Sequence, residues 1–318
     1  MSKRKQSKTN NNGPDSDSDD GNSSDVSLVN VDFDFFDPNP KVDFIALKRL
    51  LSQLFQADSE LFHLNELAEL ILSQPLVGTT VKTDGIEGDP YAYLTVLNMH
   101  VHQNHPSIKA LTQYVLQKST SSPLLHAALL SLLGPEGLRS EKHVGFVFSE
   151  RLVNMPVQVI PPMYRMLLDE IKWAVDDNEP YRFTHYLFLT RTYRLTPQQA
   201  AELQQAESAR PTKKRKGKLA MQASADGAAN ANGSGSRSAG ERATYSFHPE
   251  DEYIQKHASH TLDYALTSST HSESRDGEDA FGLDVGGRMM LVPAENLRSM
   301  VEEMNTAFAV PESMQVQT

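Results

Sequence analysis

The sequence predicts an α/β protein in which helices flank a central sheet. The stretch FIALKRLLSQLF (44–55) has the apolar spacing of an amphipathic helix, whereas YRFTHYLFLTRTYRL (181–195) is rich in the aromatic and β-branched residues typical of strands. Segments of both kinds alternate along the chain. The expected order is β-α-α-β-β-α-α-β-α-β, an insertion, and then α-β-α, with no internal repeat.

The first half of this order begins with a strand in which Val29, Val31, Phe33 and Phe35 alternate with polar residues, as expected for a strand with one buried face. The elements that follow are helices at 44–55 and 64–72, strands at 78–83 and 91–101, and helices at 106–115 and 123–133. Asp43 can cap the first of these helices, and Pro106 and Pro123 open the last two.

The second half is predicted from the same patterns. Its elements are a strand at 143–148, a loop, a helix at 163–176 and the strand at 181–195. After the insertion come a helix in YSFHPEDEYIQKHASHTLDYAL (245–266), a turn in GLDVGG (282–287), a strand at 288–292 and a helix at 293–308. Acidic residues in the first turn after Pro249 suit the helix dipole.

Composition divides the chain into segments. Residues 1–27 (a polar and acidic tail) and residues 197–241 (a basic, low-complexity insertion) contain too few large apolar side chains to build a core, so we expect both to be disordered. We predict one α/β domain formed by residues 28–196 and 242–310, with residues 311–318 as a tail. The absence of cysteine excludes disulfides and fits a reducing compartment. Without a signal-like N-terminus or a long apolar run, we expect an intracellular protein.

Charge is distributed unevenly. The formal charge of the chain is −11; residues 1–27 carry −1 and residues 197–240 carry +4, which leaves −14 for the remainder. An acidic body repels nucleic-acid phosphates and attracts basic proteins. The sequence therefore predicts a basic protein client, without direct nucleic-acid or membrane binding.

Four sets of residues could suggest chemistry, but each has a simpler interpretation. Ser149 with His143 or His185, and Glu150 with Asp169 or Glu170, could be catalytic, yet no nucleophile elbow surrounds Ser149 and acids near helix starts are common caps. The histidines of NMHVHQNHP (His100, His102 and His105) have no cysteine or clearly placed carboxylate to complete a metal site. His257 and His260, about one helical turn apart, are likewise expected to be structural or surface residues and not metal ligands. We predict no catalytic, cofactor-binding or metal-binding residues.

Two kinds of charged cluster indicate binding instead. A basic run within the insertion is the pattern of a nuclear-import signal, formed by Lys213, Lys214, Arg215, Lys216 and Lys218. Acidic clusters in DFDFFD and HPEDE are candidate docking sites for a basic client, and their members are Asp32, Asp34, Asp37, Glu250, Asp251 and Glu252.

The stretch SERLVNMPVQVIPPMY (149–164) lies between a strand and a helix, where α/β proteins often hold phosphate groups. It contains no glycine, although close approach of a phosphate normally needs one. Together with VNVDFDFFDPNPKVDFIALKRLL and FHPEDEYIQKHA, this motif resembles the BCCIP/Bcp family of eukaryotic nuclear proteins over most of residues 28–308. The overall sequence is most similar to a fungal Bcp-type member.

The resemblance implies a fold similar to GNAT acetyltransferases, a central mixed sheet flanked by helices, but no acetyl transfer. GNAT enzymes bind the cofactor pyrophosphate after their fourth strand with a pattern similar to Gln/Arg-x-x-Gly-x-Gly/Ala. This chain has Arg151, Asn154, Met155 and Pro156 in that region, and Pro156 has no amide hydrogen to donate. We therefore expect a GNAT-like scaffold without a functional acetyl-CoA loop, in which Ser149, Glu150, Arg151, Asn154, Met155 and Pro156 are structural.

The resemblance also implies partners. Fungal relatives are associated with chaperoning a newly made large-subunit ribosomal protein in the nucleus and with nuclear export of a phosphoinositide kinase. Animal relatives are linked to a cyclin-dependent-kinase inhibitor and a breast-cancer tumour suppressor. We expect a non-enzymatic nuclear chaperone or adaptor that shuttles to the cytoplasm with nuclear transport receptors. The alternatives are an active acyltransferase or a scaffold for cell-cycle and DNA-repair proteins.

Overall fold

A computed structural model of the chain describes residues 31–195, 244–267 and 284–309. The chain divides into a unit of residues 1–32, of which Val31 and Asp32 are described, and a unit of residues 33–318. The expected terminal tail at 1–27, the insertion at 197–241 with its basic cluster, and the tail at 311–318 lie outside the described residues.

Helices and strands alternate along the second unit. The α-helices of the described part are α1 (Phe44–Phe55), α2 (Leu64–Leu72), α3 (Pro106–Lys118), α4 (Pro123–Leu133), α5 (Ile160–Asp176), α6 (Asp251–His257) and α7 (Leu297–Ala307). The strands are β1 (Asp34–Phe36), β2 (Thr79–Lys82), β3 (Ala92–Asn98), β4 (His143–Arg151), β5 (Phe183–Arg194), β6 (Thr244–Ser246), β7 (His260–Ala265) and β8 (Asp284–Pro293).

These strands form one mixed sheet in the order β1-β2-β3-β4-β5-β8-β7, with β6 paired to β5. The β4–β5 pair is parallel and is connected through α5, whereas the other neighbouring strands are antiparallel. A parallel pair needs a crossover of this kind because a tight hairpin can join only antiparallel strands.

A hydrophobic core lies on each face of the sheet. Helices α1 to α4 pack on one face against side chains such as Phe146, Phe148 and Leu187. Helices α5, α6 and α7 pack on the other face against Val147, Phe188 and their neighbours. Since successive strand residues point to opposite faces, adjacent apolar residues in β4 and β5 serve both cores. This confirms the predicted α/β class, a central mixed sheet flanked by helices. The finer likeness to GNAT acetyltransferases stays a prediction.

Several expected elements differ from the structure in extent or type. In the described residues the first strand begins only at Asp34 and Val31 is exposed, while the predicted strand residue Val29 lies outside the described range. The segment 245–266 is not one helix, since α6 ends at His257 and β7 begins at His260. The predicted turn at 282–287 overlaps the start of β8. In the described part of the chain, no helix is long and apolar enough to cross a membrane.

Candidate functional site

The family motif begins inside the sheet. Strand β4 extends to Arg151, three residues beyond the predicted end, so Ser149, Glu150 and Arg151 pair with β3 and do not belong to the loop. Glu150 and Arg151 are buried and Ser149 is half-buried.

Glu150 accepts hydrogen bonds from several directions. Arg191 on β5 donates from Nε and Nη2 to the two carboxylate oxygens over 3.1 and 3.0 Å, and Gln53 donates over 2.9 Å. The Nε2 of His248 lies 2.8 Å from Oε1. Burial acts to raise the pKa of Glu150, but the hydrogen bond with His248 and the charge of Arg191 outweigh it, and the pKa falls to about 2. Glu150 is therefore ionised, and its negative charge is paired with groups inside the protein.

Arg151 forms the second buried ion pair. Its Nε and Nη2 each donate to Glu250 over 3.0 Å, and its Nη1 donates to the carbonyl of Met155 over 2.8 Å. This bidentate pair holds the loop after β4 to the start of α6, 99 residues away along the chain.

The loop after β4 offers few groups to a phosphate. The amides of Arg151, Leu152 and Met155 donate to Glu150, to the carbonyl of Tyr91 and to the carbonyl of Leu152. Asn154 and Pro156 are exposed, whereas Met155 is buried in the second core. A pyrophosphate cradle requires several free, convergent amides, and the loop amides of Leu152 and Met155, with that of Arg151 at the end of β4, are already committed within the protein.

Ser149 is not brought close to either of the histidines considered as its catalytic partner. His143 stands at the opposite end of β4 from Ser149, six residues along a strand that rises about 3.3 Å per residue, and His185 pairs beside Val144 at that same far end. Among the described residues, no group of three potential ligands could hold a metal ion. His100 instead stacks on His143 with ring centroids 4.7 Å apart, and burial lowers its pKa.

The acidic candidates separate into two sets. Glu250 and Asp251 are buried at 3% and 2% exposure, so the expectation that they dock a client does not hold, because Glu250 is committed to Arg151. The exposed members are Asp32, Asp34, Asp37 and Glu252.

Asp37 borders a groove of about 320 Å³, which we call the acidic groove. Its lining residues are Asp37, Pro38, Gln74, Pro75, Leu76, Val77, Gly78, Met166, Asp169, Glu170 and Trp173. None of these described lining residues is a lysine or arginine.

Glu170 on α5 lines this groove and is largely buried. Its carboxylate accepts hydrogen bonds from the amide of Gly78 and the hydroxyl of Thr79, both over 2.9 Å. Burial raises the pKa of Glu170, and the charges of Asp37 and Asp169 raise it further. Three carboxyl groups therefore lie close enough in the acidic groove to interact electrostatically.

Trp173 lies beside these acids and is 61% exposed. Sequence patterns did not single it out, although its position was informative: it lies off the helical face that buries Met163, Leu167 and Ala174. An indole on the polar side of an amphipathic helix is a signal for a binding surface.

Comparison with known proteins gave consistent results. A family model described as BCCIP matches residues 28–254. Protein bcp1 of Aspergillus fumigatus is 40% identical over 311 residues, covering 96% of this chain and 97% of that protein. Protein bcp1 of Schizosaccharomyces pombe is 41% identical over 283 residues, covering 88% and 90%. The crystal structure of BCP1 from Saccharomyces cerevisiae has a TM-score of 0.55 and 26% identity, with 91% of this chain and 93% of that chain covered.

Proposed function

Because this chain belongs to the BCCIP family, we propose that it acts as a non-enzymatic binding protein that holds a basic client and covers the client's positive surface. The acidic groove is the observation that carries this proposal. Asp37, Asp169 and Glu170 converge there beside an exposed indole, in a chain whose formal charge outside residues 1–27 and 197–240 is −14.

The geometry of the family motif supports a role without catalysis. The polar side chains of Glu150 and Arg151 are satisfied by Arg191, Gln53 and Glu250, so they are not poised toward a substrate. A general acid or base must reach the proton that it transfers, and these groups are enclosed by their own partners.

The finer proposal rests on the family resemblance and on charge. A large-subunit ribosomal protein has basic surfaces that bind RNA, and an acidic partner would keep such surfaces from aggregating or binding stray nucleic acid. We propose this client class, a nuclear location with shuttling to the cytoplasm, and support of ribosome assembly. Export of a phosphoinositide kinase as cargo is compatible with the same adaptor role.

Affinity purification of the tagged chain followed by mass spectrometry tests the client class, and enrichment of one basic ribosomal protein is expected. The purified pair should then bind more weakly as salt rises from 50 to 500 mM, because screening shortens the range of charge attraction. Binding that does not change with salt would contradict the electrostatic basis of the proposal.

Titration of the purified chain with acetyl-CoA by calorimetry tests the absence of acyl transfer. We expect no saturable heat, because the amides of Leu152 and Met155 and the guanidinium group of Arg151 are engaged internally. Saturable micromolar binding would favour a working acyltransferase instead.

The nuclear location is tested at the basic cluster. Replacement of Lys213, Lys214, Arg215 and Lys216 by alanine should raise the cytoplasmic fraction of a fluorescent fusion, because import receptors bind extended basic segments. The chain has a second, shorter basic run near its start, formed by Lys3, Arg4 and Lys5. An unchanged distribution would assign import to that run or to a carrier protein.

A further inference from the structure

We propose that the acidic groove is a docking site for an arginine side chain that a basic, extended segment of a partner protein presents. The proposal rests on the proposed function and adds to it the place of contact and the residue type that is recognised. A cavity of about 320 Å³ is at the lower end of the size typical of ligand sites, and it is open to solvent rather than enclosed.

One wall of the groove is a face of α5. Met166, Glu170 and Trp173 follow one another at intervals of four and three residues, and Asp169 adjoins them, so their side chains lie along one side of the helix. This wall presents, in order, an apolar side chain, two carboxyl groups and an aromatic ring.

The opposite wall is the segment from Gln74 to Gly78. The side-chain amide of Gln74 donates to the hydroxyl of Thr95 over 2.9 Å, and its oxygen accepts from the hydroxyl of Tyr181 over 2.9 Å. The amide of Gly78 is tied to Glu170 on α5. The Gly78–Glu170 bond joins the two walls and the Gln74 bonds fix the second wall to Thr95 and Tyr181, so a ligand would not have to order the groove on binding.

Two of the three acids of the groove are available to a ligand. Asp37 and Asp169 are exposed and form no ion pair with any residue in the described ranges, and Glu170 has its carboxylate held by Gly78 and Thr79. Burial and the neighbouring acids raise the pKa of Glu170, which means that a positive charge in the groove would relieve the repulsion among the three acids.

Arginine matches this combination better than lysine. A guanidinium group is planar and weakly hydrated, so it can stack on the indole of Trp173 while it donates hydrogen bonds to the carboxylates of Asp37 or Asp169. A lysine ammonium is a compact, strongly hydrated charge that gains less from the aromatic and apolar part of the wall. The apolar side chains Leu76 and Met166 would contact the residues that flank the arginine.

Trp173 is the single tryptophan of the chain, so its fluorescence reports directly on the groove. A blocked hexa-arginine peptide is titrated into the full chain, in parallel with a blocked hexalysine peptide, and affinities are also measured by calorimetry. We expect hexa-arginine to change the Trp173 emission and to bind more tightly than hexalysine.

Variants of the groove are then compared with a matched control. Asp169→Asn and Trp173→Leu should each weaken hexa-arginine binding about threefold to tenfold, as expected for loss of one ion pair or one cation–π contact. Glu66→Gln removes the same kind of charge from an exposed site on α2, outside the groove and outside the acidic candidates, and should change affinity less than about twofold. Melting temperatures of all variants establish that each is folded, and calorimetry replaces fluorescence for Trp173→Leu.

The outcomes separate this proposal from the proposed function. If the variants of the groove lose no more affinity than Glu66→Gln, or if both peptides bind equally, the arginine site is wrong while a diffuse acidic surface for basic clients stands. If neither peptide binds at low salt, the site and the general affinity for basic partners are both wrong.

Discussion

At the scale of single residues, the protein is organised by charges that it buries. Arg151 pairs with Glu250, and Arg191 pairs with Glu150, with every partner at most 4% exposed apart from Arg191 at 5%. Such pairs do not make a fold stable by themselves, since desolvation offsets much of the attraction, but losing one partner leaves a charge without compensation. These pairs hold α6 and β5 to the end of β4.

Glu250→Gln should destabilise the protein by about 3 kcal/mol, because Arg151 then keeps a buried charge without a counter-charge. Urea unfolding measures the change. Glu252→Gln, two residues away and exposed, is the matched control and should change the free energy of unfolding by less than about 0.5 kcal/mol. Equal effects of the two substitutions would show that the ion pair contributes nothing specific.

Asp251 gives a prediction for pH. Burial raises its pKa to about 7, with the charges of Glu250 and Glu150 adding to the rise and those of His248 and Arg288 opposing it. The folded protein therefore keeps this proton up to about pH 7, whereas the unfolded chain releases it near pH 4. Folding binds a proton between these values, so the contribution of Asp251 to stability is lost as pH rises from about 4 to about 7.

Asp251→Asn keeps the side chain neutral at every pH and should remove that loss. We expect the free energy of unfolding of the variant to rise relative to that of the parent between pH 5 and pH 8. The difference, measured by urea unfolding, should reach on the order of 1–3 kcal/mol. A variant that follows the parent across this range would mean that Asp251 is ionised in the folded protein.

At the scale of elements, strand β7 shows how two glycines admit a neighbouring strand. Tyr264 on β7 pairs with Gly287 on β8, and a Cβ atom at Gly287 would lie 2.3 Å from Cζ of the Tyr264 ring. The ring also packs against Tyr114, with centroids 5.8 Å apart, and lies under the ammonium group of Lys118. The missing side chain of Gly287 therefore leaves room for the ring of Tyr264, and that of Gly286 leaves room for the carbonyl oxygen of Tyr264, so both glycines serve strand pairing and do not mark a turn.

Gly287→Ala should lower the free energy of unfolding by about 1–3 kcal/mol, as expected when a packed side chain is forced out of its place. A double-mutant cycle with Tyr264→Leu tests the cause. In the Tyr264→Leu background the extra methyl group should cost much less, because the ring that it meets is gone. Simple additivity of the two substitutions would assign the effect to the backbone of β8 rather than to Tyr264.

At the scale of the whole molecule, strands from both sides of the insertion meet in one sheet. Arg194 near the end of β5 pairs with Thr244 at the start of β6, so the ends of the intervening segment are neighbours in an antiparallel pair. Paired residues in such a ladder have Cα atoms about 5 Å apart, a gap that a few residues can span. The intervening sequence is therefore not needed to connect the two strands.

Replacement of residues 197–241 by a glycine–serine linker of about eight residues should leave the fold intact and raise its free energy of unfolding by about 1–2 kcal/mol. The reason is that each halving of the length of a flexible loop lowers the entropic cost of closing it by about 0.6 kcal/mol. Thermal unfolding and a circular dichroism spectrum measure this. A large fall in melting temperature would instead show that the insertion contributes to the core.

Local patterns were enough to predict most elements. The helices α1, α2 and α4 match their predicted ranges closely because each has the apolar spacing and, for α4, the opening proline of a helix. The segment 260–265 was predicted as part of a helix, because its residues show no strong alternation of apolar and polar side chains. It is a partly exposed strand that forms by pairing with β8. Pairing of this kind is set by residues distant in sequence, which a local period does not reveal.

The sequence by itself determined the α/β class, the family and the acidic character of the chain, because these depend on composition, periodicity and motif spacing. Tertiary structure decided which acids can meet a partner: Glu250 and Asp251 are buried, whereas Asp37 joins Asp169 beside Trp173. The physical reason is that burial of a charge depends on contacts such as Arg151 with Glu250, 99 residues apart, which form only when the sheet and helices pack together.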